Sequence, residues 1–529
     1  MFIWQKIKNF QISTFNLSLV VSIVLCAFYN VTFWNKVSNV FPMDFGNFLF
    51  YISLAVTIVG LQTIVFSIIG QLRILKYFLI VIFVLSSFAA YFMDSYHVII
   101  SDRMFQNIVE TNKNEFLSLL NAKLLLYFVF FGVLPAFIIS QIKIIPSPLK
   151  KNGLQLIATF LIIILTALGF GRSYANLFRN HKQVRYYTNP ITYVYSLIKF
   201  TKKNLFTSTP PFTHMGLDAH AATIPERKKR LMILVVGETA RSENFQLGGY
   251  KKETNPLLSQ REDLVYFSNA TSCGTETSIS VPCMFSLFER TNYNDVKGRY
   301  YDNVLDVLKR ANVNVLWRDN DDGCKGVCDR IENEDLNRLD HNEFCSEHEC
   351  RDEILITNLE ERINSVDRDQ LIVLHQRGNH GPAYYKRTTE KFKKFKPECT
   401  QDDISLCEQE TIVNAYDNAI VYTDYVLDHI ITILQKYQDQ RDVAMMYLSD
   451  HGESLGEMGV YLHAMPYLFA PREQIHIPWI IWTNHKQVIQ KLSGKKEQEI
   501  SHDHLSHTLL NFFQVNTEVY KKNLSLFAD

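Results

Sequence analysis

The sequence predicts a multi-domain protein: a five-helix α transmembrane domain followed by an α/β domain with a mostly parallel central sheet. Three observations predict it. Apolar runs of membrane length crowd the first 171 residues, charge, His and Cys mix as in a globular domain from about residue 218, and strand-like runs alternate there with a helix-spaced one. The balance of 54 Lys+Arg against 54 Asp+Glu over 529 residues conceals this division. It leaves no cationic excess for phosphate backbones, so no nucleic-acid partner is expected. A hydrophobic content of 47% likewise excludes disorder.

The apolar segments run over about 16–34, 47–70, 75–93, 122–142 and 153–171, each near the ~20 residues a helix needs to cross a bilayer. The first has no small-residue cleavage site after it and reads as an anchor helix rather than a signal peptide. Basic residues favour one set of connections, with Lys6, Lys8, Arg73, Lys76, Lys143, Lys150 and Lys151 against Lys36, Arg103 and Lys113. The positive-inside rule then makes the N-terminus cytoplasmic, and five spans deliver the chain after 171 to the other side.

From Arg172 to Leu217 there is no Asp or Glu, while Arg172, Arg179, Lys182, Arg185, Lys199, Lys202 and Lys203 are basic. Such a stretch would favour the cytoplasm, but the cysteines argue otherwise. Cys26 lies in the first span and the other eight pair at short spacing as Cys273/Cys283, Cys324/Cys328, Cys345/Cys350 and Cys399/Cys407. Four local disulfides in an oxidising compartment are expected. Residues 172–217 then read as a basic, aromatic interfacial linker, with Tyr174, Phe178, Tyr186, Tyr187, Tyr193 and Tyr195 suited to the headgroup level. The domains expected are therefore 1–171 with an outer loop at 94–121, the linker, and 218–529. The loop carries Asp102, Asn107, Glu110, Thr111, Asn112 and Glu115 between spaced apolar residues, a pattern that suits a short amphipathic helix.

In the second domain Leu231–Gly237 is a continuous apolar run, as befits a strand covered on both faces, and it ends at Glu238. Runs at 313–317, 371–374 and 443–448 end respectively at Arg318-Asp319-Asn320, at His375 ahead of His380, and at Ser449-Asp450-His451; 411–434 has helical spacing. Parallel sheets bind ligands beyond the carboxyl ends of their strands, where these polar residues stand. Glu238, Asp450 and His451, with His380 and His463 on nearby loops, form a carboxylate and imidazole set suited to zinc or manganese, densest at Asp450-His451-Gly452-Glu453. His502, His504 and His507 instead read as the start of a helix, with Ser501 and Asp503 ahead of an apolar run. The loop from Cys273 to Cys283 offers several hydroxyls that a disulfide would hold against a metal.

Gly237-Glu-Thr-Ala-Arg241, Cys273-Gly-Thr-Glu-Thr277, Val281-Pro-Cys-Met-Phe285, Cys324-Lys-Gly-Val-Cys328, Asn379-His-Gly-Pro382, Ser449-Asp-His-Gly-Glu-Ser454 and Gly459-Val-Tyr-Leu-His463 resemble the lipid A phosphoethanolamine transferases, among them the mobile colistin resistance enzymes. The resemblance covers essentially the whole chain. It implies an alkaline phosphatase/sulfatase-like catalytic domain in the periplasm, anchored in a Gram-negative inner membrane.

Carried over by motif, the resemblance makes Thr277 the nucleophile and places it with Glu238, Asp450 and His451 around Zn2+. It assigns His380 and His463, with Glu453 nearby, to phosphoethanolamine or a second zinc, and Lys325 to substrate phosphate. Asn107, Thr111 and Glu115 match loop positions tied to the lipid substrate. Glu276 and Arg377 depart from the family pattern without removing a ligand. The expected activity is ping-pong transfer of phosphoethanolamine from phosphatidylethanolamine to a lipid A phosphate by a monomer among inner-membrane lipids, which lowers negative surface charge and polymyxin binding. Two alternatives stand beside it: a glycerophosphotransferase that uses phosphatidylglycerol, and a non-catalytic, metal-stabilised ectodomain. A sulfatase lacks support because no Cys-x-Pro-x-Arg segment is present.

Overall fold

A computed structural model describes residues 10–110, 119–205, 210–222, 227–337, 343–345, 349–401 and 404–528. The described residues divide into two compact units, 10–110 with 120–205 in the first and 210–528 in the second.

In the first unit four helices are long and apolar enough to cross a membrane: Phe48–Gln71, Leu75–Tyr96, Ala122–Gln141 and Leu149–Gly169. The first expected span is a bent pair instead. Thr14–Phe28 and Val31–Val40 meet at 62°. A 15-residue helix rises only about 22 Å, short of a ~30 Å hydrocarbon core, so the two count as a fifth span only together. The break at Tyr29 and Asn30 is supported by hydrogen bonds: Asn30 Nδ2 donates to the carbonyls of Leu25 and Asn189, each at 2.8 Å.

The loop at 94–121 carries the short helix Asp102–Glu110, on which Asn107 lies. Thr111 and Glu115 lie outside the described residues. Residues 172–217 include two helices, Gly171–Asn180 and Ile191–Leu205, that belong to the first unit. Two of the linker's tyrosines are buried: Tyr187 donates to the carbonyl of His97 at 2.7 Å and Tyr193 to that of Ile82 at 3.2 Å. Tyr195 is exposed.

The second unit is organised by an eight-stranded sheet. Its strands in chain order are β1 (Lys229–Gly237), β2 (Leu264–Thr271), β3 (Asn314–Asp319), β4 (Glu332–Asp335), β5 (Gln370–His375), β6 (Arg441–Ser449), β7 (His476–Thr483) and β8 (Ile500–Ser501). In space they run β8-β2-β7-β6-β1-β5-β3-β4. Every neighbouring pair is parallel except those that involve β7, which runs antiparallel to β2 and β6. β1, β5 and β6 stand at the centre and bury every apolar residue they carry, which explains their uninterrupted hydrophobic runs. Helices Val304–Arg310, Gln409–Gln435 and Asp503–Phe512 pack around the sheet. The parallel register fixes the site, because it brings the last residues of β1, β5, β3 and β6 to one edge.

Candidate active site

Gly237 and Ser449 are partners at the ends of β1 and β6, so Glu238 and Asp450 leave the sheet side by side. Two features pin the turn after Glu238. Thr239, buried and β-branched, adopts φ 51°, a conformation that stores strain, and its N–H donates to Asp450 Oδ1 at 3.3 Å. Gly378, at φ 49°, packs directly on Glu238, and a Cβ there would lie 2.7 Å from the Glu238 carbonyl oxygen and 2.9 Å from its nitrogen.

Thr277 begins the helix Thr277–Met284, after Glu276 at the N-cap. The bond between Cys273 and Cys283 closes the loop that carries it. Thr275 donates to the Met465 carbonyl at 2.6 Å, and the Ala464 N–H donates to the Thr275 carbonyl at 2.8 Å. Thus held, the Thr277 hydroxyl donates to Glu238 Oε2 at 3.1 Å and stands 3.5 Å from His451 Nε2.

His451 Nε2 lies 3.5 Å from Glu238 Oε1 and 3.4 Å from Asp450 Oδ2. Its other nitrogen, Nδ1, is 2.9 Å from the Gly452 carbonyl. A carbonyl only accepts, so Nδ1 carries the proton and Nε2 presents a lone pair to the cluster. Burial, with Asp450 and Asp321 beside it, pushes the Glu238 carboxyl well above the usual range, and burial raises Asp450 as well. Burial, with help from His463, pushes His451 down to about 3.

Those directions describe a pocket that resists two unneutralised carboxylates. Glu238 Oε1 and Asp450 Oδ2 are buried without a hydrogen-bond partner, and Glu238, Asp450 and His451 offer donor atoms within 4.8 Å of one another. Two carboxylates, an imidazole nitrogen and an adjacent hydroxyl fit a zinc ion.

Among the other expected residues, His463 packs against both His451 and His380, with ring centroids 4.6 and 5.7 Å apart. Burial pushes His380 down to about 3. Glu453 is spoken for. Its Oε2 is 2.8 Å from His463 Nδ1 and its Oε1 accepts the Tyr384 hydroxyl at 2.6 Å, so it orients His463 rather than facing a ligand. Lys325 stands between the bridged Cys324 and Cys328 at φ 51°, and its ammonium donates to the Asp322 carbonyl at 3.0 Å. Arg377 is buried between Asp322 and Glu349, 3.4 and 3.9 Å away. His502 is a packing residue: it accepts the Cys273 N–H at 3.0 Å and lies 2.9 Å from the Ser449 carbonyl. The helix after it starts at Asp503, as its sequence suggests.

Sequence reasoning passed over a second cluster formed by Glu238, Asp321 and His375, whose donor atoms also lie within 4.8 Å of one another. Burial alone would lower His375, yet Asp319, Asp321 and Asp450 hold it up at about 9. The signal available was that β3 and β5 both end in titratable residues, as β1 and β6 do.

All eight cysteines of this unit are bridged, as Cys273–Cys283, Cys324–Cys328, Cys345–Cys350 and Cys399–Cys407, and Cys26 is free.

The sulfatase family model matches residues 230–515, and that described as phosphoethanolamine transferase EptA/EptB matches 58–205. The chain is 38% identical over 527 residues to the phosphoethanolamine transferase EptA of Escherichia coli K12, with 96% of each chain covered. It is also 38% identical to the phosphatidylethanolamine transferase Mcr-1 of Escherichia coli, with 97% of each covered. Among solved structures, the integral membrane lipooligosaccharide phosphoethanolamine transferase A of Neisseria meningitidis superposes with a TM-score of 0.93 at 34% identity, over 98% of this chain and 99% of that one. Sequence and fold agree along the full length, and the chain belongs to the phosphoethanolamine transferase family, with a catalytic unit of alkaline phosphatase/sulfatase type.

Proposed function

We propose that this chain takes phosphoethanolamine from phosphatidylethanolamine and places it on a phosphate of lipid A, with Thr277 as the covalent carrier. The observation that carries the reading is the Thr277 hydroxyl, 3.1 Å from Glu238 and 3.5 Å from His451, at the N-terminus of a helix. The names of its relatives support phosphoethanolamine as the group moved, and the meningococcal protein is named for a lipooligosaccharide acceptor. The enzyme is a multi-pass protein of a Gram-negative inner membrane with its catalytic unit in the periplasm.

In the first step the Thr277 oxygen attacks the donor phosphorus, a bond from that oxygen to phosphorus forms, and the bond from phosphorus to the glycerol oxygen breaks. Diacylglycerol leaves with a proton. Glu238 accepts the hydroxyl hydrogen and so points the oxygen lone pairs outward, while the first N–H groups of the Thr277–Met284 helix favour the anionic phosphoryl group. In the second step an oxygen of a lipid A phosphate attacks the same phosphorus, and Thr277 is released with its proton restored.

Zinc held by Glu238, Asp450, His451 and the Thr277 oxygen would supply Lewis acidity, making that oxygen a better nucleophile and leaving group. His463, set by Glu453, together with His380 and Lys325 brings polar and cationic groups to the phosphoryl oxygens. The added ammonium offsets acceptor charge and weakens polymyxin binding. The test is mass spectrometry of lipid A from cells expressing the chain, paired with purified enzyme given phosphatidylethanolamine or phosphatidylglycerol. Phosphoethanolamine on lipid A, formed only with the first donor, is expected. Glycerophosphate transfer from the second would reassign the donor.

A further inference from the structure

We propose that Glu238, Asp321 and His375 bind a second divalent cation, which shares Glu238 with the first. The three residues come from adjacent parallel strands: Glu238 follows β1, His375 ends β5 and Asp321 follows β3. Register places Val236, His375 and Asp319 on one rung, so the neighbours converge without any loop rearrangement. All three are buried, and Glu238 Oε1, Asp321 Oδ1 and His375 Nε2 each lack a hydrogen-bond partner.

His375 is aimed by a fixed carboxylate. Asp319 Oδ2 takes the Trp317 indole N–H at 2.7 Å and stands 3.0 Å from His375 Nδ1, while Asp319 Oδ1 accepts the N–H groups of Asp321 and Gly323 at 2.9 and 3.1 Å. An acceptor so fully used is an ionised carboxylate, and it holds one imidazole proton on Nδ1, so that a cation displacing the other proton takes Nε2 as its donor atom. This carboxylate–imidazole arrangement is the one that orients metal-bound histidines.

Charge points the same way. Four buried carboxylates, Glu238, Asp319, Asp321 and Asp450, meet here. His375, Arg377, His380 and Lys325 all act electrostatically on Asp321. Arg377 faces Asp322 and Glu349, and Lys325 reaches the Asp322 carbonyl. Two carboxylates and an imidazole suit manganese or zinc. His380 and His463, by contrast, fall in no three-donor group among the described residues.

The inference rests on the metal reading of Glu238 above, and one experiment separates the two. Full-length protein in detergent is stripped with chelator, reloaded with Zn2+ or Mn2+ alone, desalted, and its metal counted by mass spectrometry. Two ions per chain are expected for wild type, and one for His375→Gln, which keeps a donor toward Asp319, and for Asp321→Ala. With Mn2+ the wild type should give an exchange-coupled resonance spectrum, and His375→Gln the spectrum of an isolated ion. A wild-type count of one, unchanged by His375→Gln but lost in His451→Ala, overturns this proposal and keeps the first site. A count unchanged in His451→Ala overturns the first site instead.

Discussion

Glu238 and Asp450 leave adjacent parallel strands on the same rung, set by the pairing of Gly237 with Ser449, and the imidazole of His451 closes the triangle at 3.4 to 3.5 Å from each. Three donor atoms from the ends of two strands lie close enough to share one ion. An Ala substitution at Glu238, Asp450 or His451 should therefore lower zinc content as well as activity. Changes at His380 or His463 should reduce turnover while tightly held zinc remains. Metal counting of each variant beside its transfer rate checks the difference.

The Thr277 hydroxyl faces Glu238 and His451 within the site and adds little packing, so Thr277→Ala should fold normally and lose transfer by about three orders of magnitude or more, because the covalent route closes. Thr277→Ser keeps the oxygen and should retain measurable rate. Wild-type enzyme quenched with phosphatidylethanolamine should carry phosphoethanolamine on the peptide that contains Thr277. A reproducible label elsewhere would remove the assignment.

Much of this site was legible because a doubly covered strand announces itself as an apolar run, and whatever polar residue ends it has a reason to be there. Glu238, Asp450 and His451 were readable that way. Asp321 and His375 sit at the ends of equivalent strands but were not singled out, since a strand-end residue gains meaning only once the strand order makes it the neighbour of Glu238. Strands β2 and β7 were not identified: Leu264–Thr271 turns polar before its end, and β7 runs antiparallel to both neighbours, so its last residue leaves the sheet at the edge away from the site. The break after Phe28 was hidden because apolar residues continue across Tyr29 and Asn30. Hydropathy reports length and not direction.

The Cys273–Cys283 bridge joins cysteines only ten positions apart, so its stabilisation belongs at the low end of ~2–4 kcal/mol. Its larger effect should be positional. Replacing both cysteines by Ala should cost more in transfer rate than in thermal stability, measured as the turnover ratio against the shift in Tm. A double variant with full turnover would show that the Thr275 contacts with Ala464 and Met465 suffice to hold the loop.

Burial pushes the Asp424 carboxyl up to about 7, although it accepts the N–H groups of Leu257 and Leu258. Because an unfolded Asp titrates near ~3.9, the folded chain holds the extra proton between about pH 4 and pH 7. The contribution to stability is thus complete below pH 4 and is lost as pH rises toward 7, a fall on the order of a few kcal/mol. Asp424→Asn should lack this slope. Tm measured from pH 4.5 to 8 should shift progressively in the variant's favour, and parallel curves would contradict the shift.

Gly378 tests how rigidly the turn holds Glu238. At φ 49° an alanine pays the left-handed penalty of ~1–2 kcal/mol, and its Cβ would also meet the Glu238 carbonyl oxygen and nitrogen at 2.7 and 2.9 Å. Those are backbone atoms and cannot swing aside. The residues on either side are already committed: the N–H groups of Arg377 and Gly378 bind the buried carboxylate of Asp352, and the Asn379 N–H binds the Glu238 carbonyl. Relief therefore has to come from moving Glu238 itself, which would lengthen its contact with Thr277. Gly378→Ala should lower both Tm and zinc affinity and reduce transfer at saturating donor, even though the substituted residue touches neither metal nor lipid. If the variant lost stability but kept zinc affinity and turnover, the turn would be a folding element only, and the position of Glu238 would depend on β1 alone.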